Sequence, residues 1–320
     1  MSDSNFIAGD WGTTNLRVYL CQLGADGIPQ LLKTVRGPGV AEVSATGDPS
    51  AFEQTLFDRI DPWLKHHGDV PILLSGMVGS TIGWREAPYQ RCPVDTADIA
   101  SGALAFEARG HQIRLIPGLS TVNSFGSPDV MRGEELQLLG LATMVPAPAS
   151  EARLVCLPGT HNKWVRCVGE QVETFATALT GELFSVLSEH SILLRGADRG
   201  HLVLPAFDEG LELAGKLDGG QLLHTLFSTR SRQVMGELDA SNAESYLSGL
   251  LVGADVQGAL KLFGRPSDET AVHVIGDGVI STSYRLALEA AGCAASIHEP
   301  DEIALAAYGA VYRAITSKGL

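Results

Sequence analysis

A turn near the start of the chain carries the small and polar residues that a phosphate-binding loop needs. It separates two short β-rich runs, residues 6–9 and 16–20, which is the pattern of a β-hairpin. Glycine lets the backbone approach an anion without a Cβ in the way, and hydroxyl and amide groups add donors. We therefore expect phosphate contacts from Gly12, Thr13, Thr14 and Asn15. Asp10 ends the first run, where its carboxylate could hold Mg²⁺; a hairpin with ordinary turn chemistry is the alternative.

The same turn recurs later in the chain, again between two β-like runs, residues 153–156 and 163–168. Gly12, Thr13 and Asn15 match Gly159, Thr160 and Asn162 at a constant offset of 147 residues. Leu157 stands where the first copy has Asp10, so only the first copy offers a metal carboxylate. The repeat predicts a duplicated α/β unit, with one phosphate hairpin in each half and the two hairpins facing each other across a cleft.

Two adjacent glutamates, Glu134 and Glu135, follow Gly133 at the start of a predicted helix that Asp129 could cap. Adjacent side chains on a helix point about 100° apart, so one can face a cleft while the other does not. A carboxylate in that place could accept a proton from a reacting hydroxyl. A solvated helix start, favoured by the helix dipole, is the alternative.

Residues 81–95 read TIGWREAPYQRCPVD and show little periodicity. A long irregular segment inside a compact domain is often functional. Arg85 and Arg91 could each pair with a carboxylate. We expect this loop to bind a small molecule through Trp84, Arg85, Glu86, Tyr89 and Arg91; a solvated surface loop is the alternative.

A third glycine turn follows the β-run at residues 271–275 and precedes a helix. This order of strand, turn and helix N-terminus lets a ribose or a phosphate approach the backbone. The candidate residues are Gly276, Asp277 and Gly278.

Composition excludes several classes of function. The chain of 320 residues carries a net charge of −14, and it has no basic cluster of the kind that binds nucleic acid. The same acidity disfavours an anionic membrane. No export signal or spanning run of ~20 apolar residues occurs, and none of the five cysteines forms a CxxC pair. We expect a cytoplasmic protein with reduced thiols and no zinc site; the oligomeric state stays open.

Strands alternate with helices along the chain, which is typical of an α/β fold. Residues 51–66 and 244–262, for example, carry apolar side chains at helical spacing. The sequence VPAPAS at 145–150 is the best linker. We expect an N-terminal α/β domain at residues 1–146 and a C-terminal one at 147–320, with a last helix that can pack back on the N-terminal domain.

Six segments in order resemble the 2-dehydro-3-deoxygalactonokinase family: DWGTTNLR, GWREAPYQRCPVD, MRGEELQLLG, LPGTHNKWV, TGELFSVLSEHSILLR and VIGDG. The family belongs to the superfamily of actin, hexokinase and the sugar kinases. The resemblance implies two ribonuclease-H-like domains, an actin-like ATPase duplication, flanking a nucleotide cleft. It also implies transfer of phosphate from ATP, with Mg²⁺, to the 6-hydroxyl of 2-dehydro-3-deoxy-D-galactonate in galactonate breakdown.

The resemblance assigns roles to the candidates. Residues 10–15 and 159–162 become the two phosphate elements, and residues 276–278 become part of the adenosine element. Glu134 is the first choice for the base, because its RGEE context resembles the glutamate element of exopolyphosphatases; Glu135 is second and Asp10 third. The substrate carboxylate would bind Arg85 or Arg91, and the phosphates could also bind His161 or Lys163.

Three alternatives remain at the level of sequence. A phosphohydrolase of the exopolyphosphatase type would use water in place of the sugar acid. A non-catalytic nucleotide switch would close on ATP without forming product. A kinase for the epimeric 2-dehydro-3-deoxy-D-gluconate would differ only in its preferred sugar acid.

Overall fold

The computed structural model describes residues 5–25, 27–198, 200–218, 220–267 and 270–318. The chain forms two compact units. The first unit comprises Met1–Glu151, Val168–Thr174 and Asp301–Leu320, and the second comprises Ala152–Cys167 and Phe175–Pro300. The division falls after Glu151, whereas the sequence predicts a boundary after residue 146, and the last helix belongs to the first unit.

The strands of the described residues are β1 (Asn5–Trp11), β2 (Asn15–Leu23), β3 (Pro29–Pro38), β4 (Ile72–Ser75), β5 (Tyr89–Arg91), β6 (Leu104–Ala108), β7 (His111–Leu115), β8 (Gly118–Val122), β9 (Pro128–Met131), β10 (Ala152–Leu157), β11 (Asn162–Val168), β12 (Gln171–Ala178), β13 (Val272–Ile275) and β14 (Ala295–His298). The α-helices are α1 (Val40–Ala45), α2 (Ala51–His67), α3 (Thr96–Gly102), α4 (Glu134–Met144), α5 (Thr180–His190), α6 (Leu204–Gly215), α7 (Leu222–Thr225), α8 (Ser228–Val234), α9 (Ala243–Phe263), α10 (Gly278–Ala290) and α11 (Pro300–Lys318). A 3-10 turn, Gly76–Gly79, follows β4 directly.

The main sheet of the first unit has the strand order β3-β2-β1-β4-β7-β6. β1 is antiparallel to β2 and parallel to β4. In this register Asp10 is paired with Ser75, so the carboxyl ends of β1 and β4 lie side by side. Such an edge of a parallel pair is where α/β folds commonly bind ligands.

The core of the first unit is built by the helix that the apolar spacing predicts. In α2, the side chains of Phe52, Leu56, Ile60 and Leu64 are buried. Residues three and four apart share one helix face, and this face packs against the sheet residues of the same hydrophobic cluster. The prediction of an amphipathic helix over 51–66 is confirmed.

Two local predictions in the first unit are wrong. Asp129 does not cap a helix, because it lies in β9, where it is paired with Thr121 of β8. Helix α4 begins only at Glu134, with Gly133 as its N-cap. Loop 81–95 is also not wholly irregular, because Tyr89–Arg91 forms β5 beside β8. In both places pairing with β8 decides the structure, and the pattern within the segment itself cannot show that pairing.

The sheet of the second unit has the order β12-β11-β10-β13-β14, with β10 parallel to β13 and β13 parallel to β14. The order β12-β11-β10-β13 in this sheet therefore matches the order β3-β2-β1-β4 in the sheet of the first unit. Helices α9 and α10 supply core residues such as Val256 and Tyr284, which pack with Trp164 of the sheet. The predicted helix at 244–262 is confirmed as α9.

The cysteines and the helices of the described residues complete the description of the fold. All five cysteines are free thiols. Within the residues that the structure describes, no helix combines the length and the apolar character that crossing a membrane requires.

Candidate active site

The first predicted phosphate turn joins β1 to β2. Within it, the Gly12 N–H donates to the Asn15 carbonyl oxygen at 2.9 Å. The side chains of Thr13, Thr14 and Asn15 are exposed. The first residues of α1 support the turn from behind, because the Ala41 N–H donates to the Thr13 carbonyl oxygen at 3.0 Å. The turn thus presents hydroxyl and amide groups on a backbone that is held in place.

The second turn, between β10 and β11, is supported in the same way. The Glu182 N–H of α5 donates to the Thr160 carbonyl oxygen at 2.9 Å. Helix α5 approaches closely because Gly181 has no side chain: a Cβ there would lie 2.3 Å from the Gly159 carbonyl oxygen. The exposed His161 ring pairs with Glu182 at 2.7 Å. Gly159, Thr160 and His161 therefore form the accessible part of this turn.

Two predicted residues of the second turn are buried. Asn162 is fully buried and Lys163 is 4 % exposed. The Asn162 amide donates to Asp255 at 2.8 Å, and the Lys163 ammonium donates to the His161 carbonyl oxygen at 3.0 Å. Through these contacts, Asn162 and Lys163 hold the backbone of the turn from its buried side.

Sequence reasoning missed Asp255, an acidic residue of α9 that joins three elements of the second unit. Its carboxylate accepts hydrogen bonds from four side chains at 2.6–2.8 Å, namely Asn162, Trp164, Thr180 and Tyr284. They belong to β11, α5 and α10. Asp255 is half-buried, and a charge that is partly removed from water needs such partners. One acidic residue inside the mostly apolar stretch LLVGADVQGAL was the available signal.

The third glycine turn lies beside an apolar cavity of the second unit. Asp277 is the N-cap of α10, and the Ser281 hydroxyl donates to its carbonyl oxygen at 3.1 Å. The cavity has a volume of about 340 Å³ and is lined by α5, α9 and α10, with Phe184, Leu251, Val279 and Ile280 among its apolar side chains. Thr180 and Tyr284, two of the residues that bind Asp255, also line it. An apolar cavity with a few polar groups is suited to a small-molecule ligand.

The first unit contains a smaller, polar cavity of about 200 Å³ at the carboxyl end of β1. Its lining includes Asp10, Ser75, Arg132, Glu134 and Tyr308. The Ser75 and Tyr308 hydroxyl groups lie 2.6 Å apart. Strands β1 and β4, helix α4 and helix α11 each contribute a side chain, so the cavity depends on the fold of the whole unit.

Two opposing effects act on the Asp10 carboxylate. Its pKa is raised above the usual value, because burial raises it more than the nearby Arg17 guanidinium lowers it. Arg17 lies 3.5 Å from the Asp10 carboxylate and also pairs with Asp301. The Asp10 side chain is 38 % exposed, so its oxygen atoms remain reachable.

The two adjacent glutamates have different environments. Gly133 adopts a φ of 106°, a left-handed conformation that favours glycine. Behind this turn, the Arg132 N–H donates to Glu134 at 3.0 Å and the Gly133 N–H donates to Glu135 at 2.6 Å. Glu134 is half-buried and lines the polar cavity. Glu135 is fully buried, and burial followed by the charge of Glu134 raises its pKa to about 8.

The predicted loop residues are not brought together at the polar cavity. The Arg85 guanidinium lies 4.6 Å from the centre of the Phe106 ring, and the Trp84 ring contacts the same ring at 5.1 Å. Glu86 and Arg91 are exposed. None of the five predicted loop residues is among the described residues that line this cavity. Tyr89 is linked to it indirectly, because its ring lies 4.4 Å from the Arg132 guanidinium.

The residues present fit a magnesium ion better than a transition metal. Among the described residues, no group of three His, Cys, Asp or Glu side chains forms a metal cluster. Mg²⁺ usually keeps several waters and binds one or two carboxylates together with substrate phosphates. The reachable carboxylate of Asp10 meets that requirement.

The family model for 2-keto-3-deoxy-galactonokinase matches residues 10–311 of the chain. The chain belongs to this family. It is 35 % identical over 313 residues to the Rhizobium meliloti protein named "Probable 2-dehydro-3-deoxygalactonokinase DgoK1", with 97 % of each chain covered. It is 32 % identical over 290 residues to the 2-dehydro-3-deoxygalactonokinase of Escherichia coli K12, with 91 % of each covered.

A solved structure has the same fold as this family member. It is the crystal structure of a candidate 2-dehydro-3-deoxygalactonokinase from Sinorhizobium meliloti, and it is 35 % identical in sequence. The match covers 97 % of this chain and 99 % of that one, with a TM-score of 0.84. The resemblance that the motifs indicate is thereby confirmed.

Proposed function

We propose that the protein transfers the γ-phosphoryl group of ATP to the 6-hydroxyl of 2-dehydro-3-deoxy-D-galactonate, as a cytoplasmic step of galactonate breakdown. Membership of the 2-keto-3-deoxy-galactonokinase family supports the reaction. The observation that carries the chemistry is the polar cavity, because Asp10 and Glu134 both line it. The Asp10 carboxylate can bind a metal ion while the Glu134 carboxylate accepts a proton from a hydroxyl.

The proposed architecture is a pair of ribonuclease-H-like domains, an actin-like duplication, flanking a nucleotide cleft. Two features that both units share support this architecture. Both sheets place the first strand between the second strand and the next parallel strand. Both first turns are held by a backbone N–H from the following helix, at Ala41 in one unit and Glu182 in the other.

In the proposed reaction, Glu134 accepts the proton of the attacking hydroxyl. Phosphoryl transfer asks a protein mainly for positioning and for neutralisation of charge, and a placed base contributes further. Glu135 is buried beneath the cavity, and we assign it no contact with substrate. Mg²⁺, held by Asp10 and water, would offset charge on the phosphates.

The phosphates of ATP would contact the two turns. Gly12, Thr13 and Thr14 offer backbone and hydroxyl donors in the first, and Gly159, Thr160 and His161 do so in the second. The nucleoside would occupy the apolar cavity beside Gly276, Asp277 and Gly278. Asn162 and Lys163 act from below, where Asn162 connects the second turn to Asp255.

A coupled assay of ADP release against a small panel of 2-keto-3-deoxy sugar acids tests this proposal. We expect turnover that requires both ATP and a sugar acid, with the galactonate-derived acid preferred over its gluconate-derived epimer. Fast ATP or polyphosphate hydrolysis without an acceptor would favour a phosphohydrolase. ATP binding with no product would favour a nucleotide switch.

A further inference from the structure

Arg132 is the cationic side chain of the polar cavity in the first unit. It stands between β9 and α4, next to Gly133, and it lines the cavity together with Asp10 and Glu134. Among the described residues that line this cavity, no other is a lysine or an arginine. A ligand that carries a negative charge at one end and a hydroxyl at the other would match this set of charges.

The Arg132 guanidinium is held in place but keeps donors to spare. Its Nη2 donates to the Ala87 carbonyl oxygen at 2.8 Å, and one face lies 4.4 Å from the centre of the Tyr89 ring. Its Nε and Nη1 are buried, and neither has a hydrogen-bond partner among the described residues. Buried donors without an acceptor are costly and call for a physical explanation.

The backbone around Arg132 is shaped to admit it. A Cβ on Gly79 would lie 2.9 Å from Nη1 of Arg132 and 3.2 Å from the Ala87 side chain. Any residue larger than glycine would therefore push the guanidinium away from Ala87. The 3-10 turn and the loop together fix an arginine whose Nε and Nη1 donors both remain unused.

The other arginines near this region are engaged differently. Arg17 pairs with Asp10 and with Asp301. Arg85 is exposed and stacks on Phe106, and Arg91 is exposed on β5. Neither of these two lines the cavity that holds Asp10 and Glu134.

We propose that Arg132, in place of Arg85 or Arg91, binds the carboxylate of the sugar-acid substrate. This inference rests on the proposed function, because it requires an acidic substrate whose hydroxyl reaches Glu134. A guanidinium presents two parallel donors that match the two oxygen atoms of a carboxylate. The Nε and Nη1 donors are buried here, so an incoming carboxylate requires neighbouring side chains to move. The Tyr89 ring that stacks on the guanidinium is 43 % exposed and has room to do so.

The test compares two substrates in four proteins. The substrates are the 2-keto-3-deoxy sugar acid and its neutral C1 amide, and the proteins are wild type, Arg132→Met, Arg132→Lys and Arg91→Met. We expect Arg132→Met to raise the KM for the acid on the order of 30-fold to 1,000-fold, the range for removal of one partner of a charge pair. For the amide, wild type and Arg132→Met should differ by less than about threefold, because no charge pair is lost.

Two further readouts separate binding from folding. Arg132→Lys keeps the charge without the fork and should recover part of the affinity for the acid, whereas Arg91→Met should behave as wild type. The KM for ATP should stay within about threefold in every variant, since uniform loss would indicate a damaged fold. Equal losses for acid and amide in Arg132→Met, or a selective loss in Arg91→Met, would overturn the inference.

Calorimetry of sugar-acid binding distinguishes failure of this inference from failure of the proposed function. Binding by wild type that Arg132→Met abolishes, with no turnover in either, would overturn the kinase proposal and retain the role of Arg132. Turnover by wild type, together with undiminished binding of the acid by Arg132→Met, would overturn the role of Arg132 and retain the kinase proposal. No binding of any 2-keto-3-deoxy acid to wild type would overturn both.

Discussion

The glutamates at the start of α4 stand next to each other in sequence, yet only one can meet a ligand. Glu134 lines the polar cavity, whereas Glu135 has no exposed surface. The turn of about 100° per residue on a helix separates them. A base must reach the proton that it removes, so geometry selects Glu134.

Replacement of Glu134 by Gln should lower kcat on the order of 100-fold to 10,000-fold, because the amide cannot accept the hydroxyl proton. The KM for ATP should change by no more than a few-fold. Steady-state kinetics with the sugar acid and ATP provide the measurement. Glu107→Gln, at an exposed position on β6, is the matched control and should keep wild-type kcat. Near-normal kcat in Glu134→Gln would remove this residue from the role.

The buried Glu135 should make stability depend on pH. Its pKa is raised to about 8 in the folded protein and is about 4.3 in an unfolded chain. Its favourable contribution is therefore complete below about pH 4.3 and is lost as the pH rises to 8, because over that range the unfolded chain ionises this carboxyl group while the folded protein keeps it protonated.

Glu135→Gln removes that titration and keeps an acceptor for the Gly133 N–H. Relative to wild type, the variant should become more stable as the pH rises from 5 to 9. The difference in unfolding free energy should grow by an amount on the order of a few kcal/mol. Thermal unfolding at several pH values measures it. Parallel pH profiles for the two proteins would contradict the buried, protonated state.

At the residue scale, the sequence indicates which residue types cluster but not which ones are reachable. The RGEE motif identifies two candidate bases, and only the packing of α4 separates them. Asn15 and Asn162 match in the repeat, yet Asn15 is exposed and Asn162 is buried against Asp255. Asp255 itself has no motif, because its four partners come from separate parts of the chain.

The two phosphate turns are elements that depend on the helix behind them. In the second unit, the approach of α5 leaves no room for a side chain on Gly181. An added Cβ would have to displace the turn or the helix, and overpacking of this kind typically costs about 1–3 kcal/mol. The turn that would hold phosphate is thus coupled to the start of α5.

Gly181→Ala should therefore weaken ATP binding on the order of tenfold and lower the melting temperature by several degrees. Gly215→Ala is the matched control, because a Cβ on Gly215, at the end of α6, would meet no atom within 4 Å. Alanine favours a helix over glycine, so the control should be neutral or slightly stabilising. Equal ATP affinity in both variants would show that the turn does not depend on α5.

At the element scale, periodic segments are predictable and paired ones are not. Apolar spacing identifies α2, which buries one continuous set of side chains against its sheet, and α9, whose buried side chains pack on other helices as well as on the sheet. Strands β5 and β9 escape sequence reasoning, since each is short and forms only by pairing with β8. The capping role predicted for Asp129 fails for that reason.

For the whole molecule, the repeated turn was the most informative feature of the sequence. Each copy proves to be the first turn of its own sheet, and the two sheets share the strand order around that turn. The expectation that a last helix can pack back on the N-terminal domain agrees with α11, which belongs to the first unit. There α11 supplies Tyr308 to the polar cavity.

The central claim is that this protein moves a phosphoryl group from ATP to the terminal hydroxyl of a sugar acid. The most direct test is ¹H–³¹P correlation NMR of the products formed from ATP and 2-dehydro-3-deoxy-D-galactonate. The account predicts one new phosphorus signal coupled to the two C6 protons, absent without the sugar acid and with Glu134→Gln. Inorganic phosphate released at the same rate with and without the sugar acid, or phosphorus on another carbon, would contradict it.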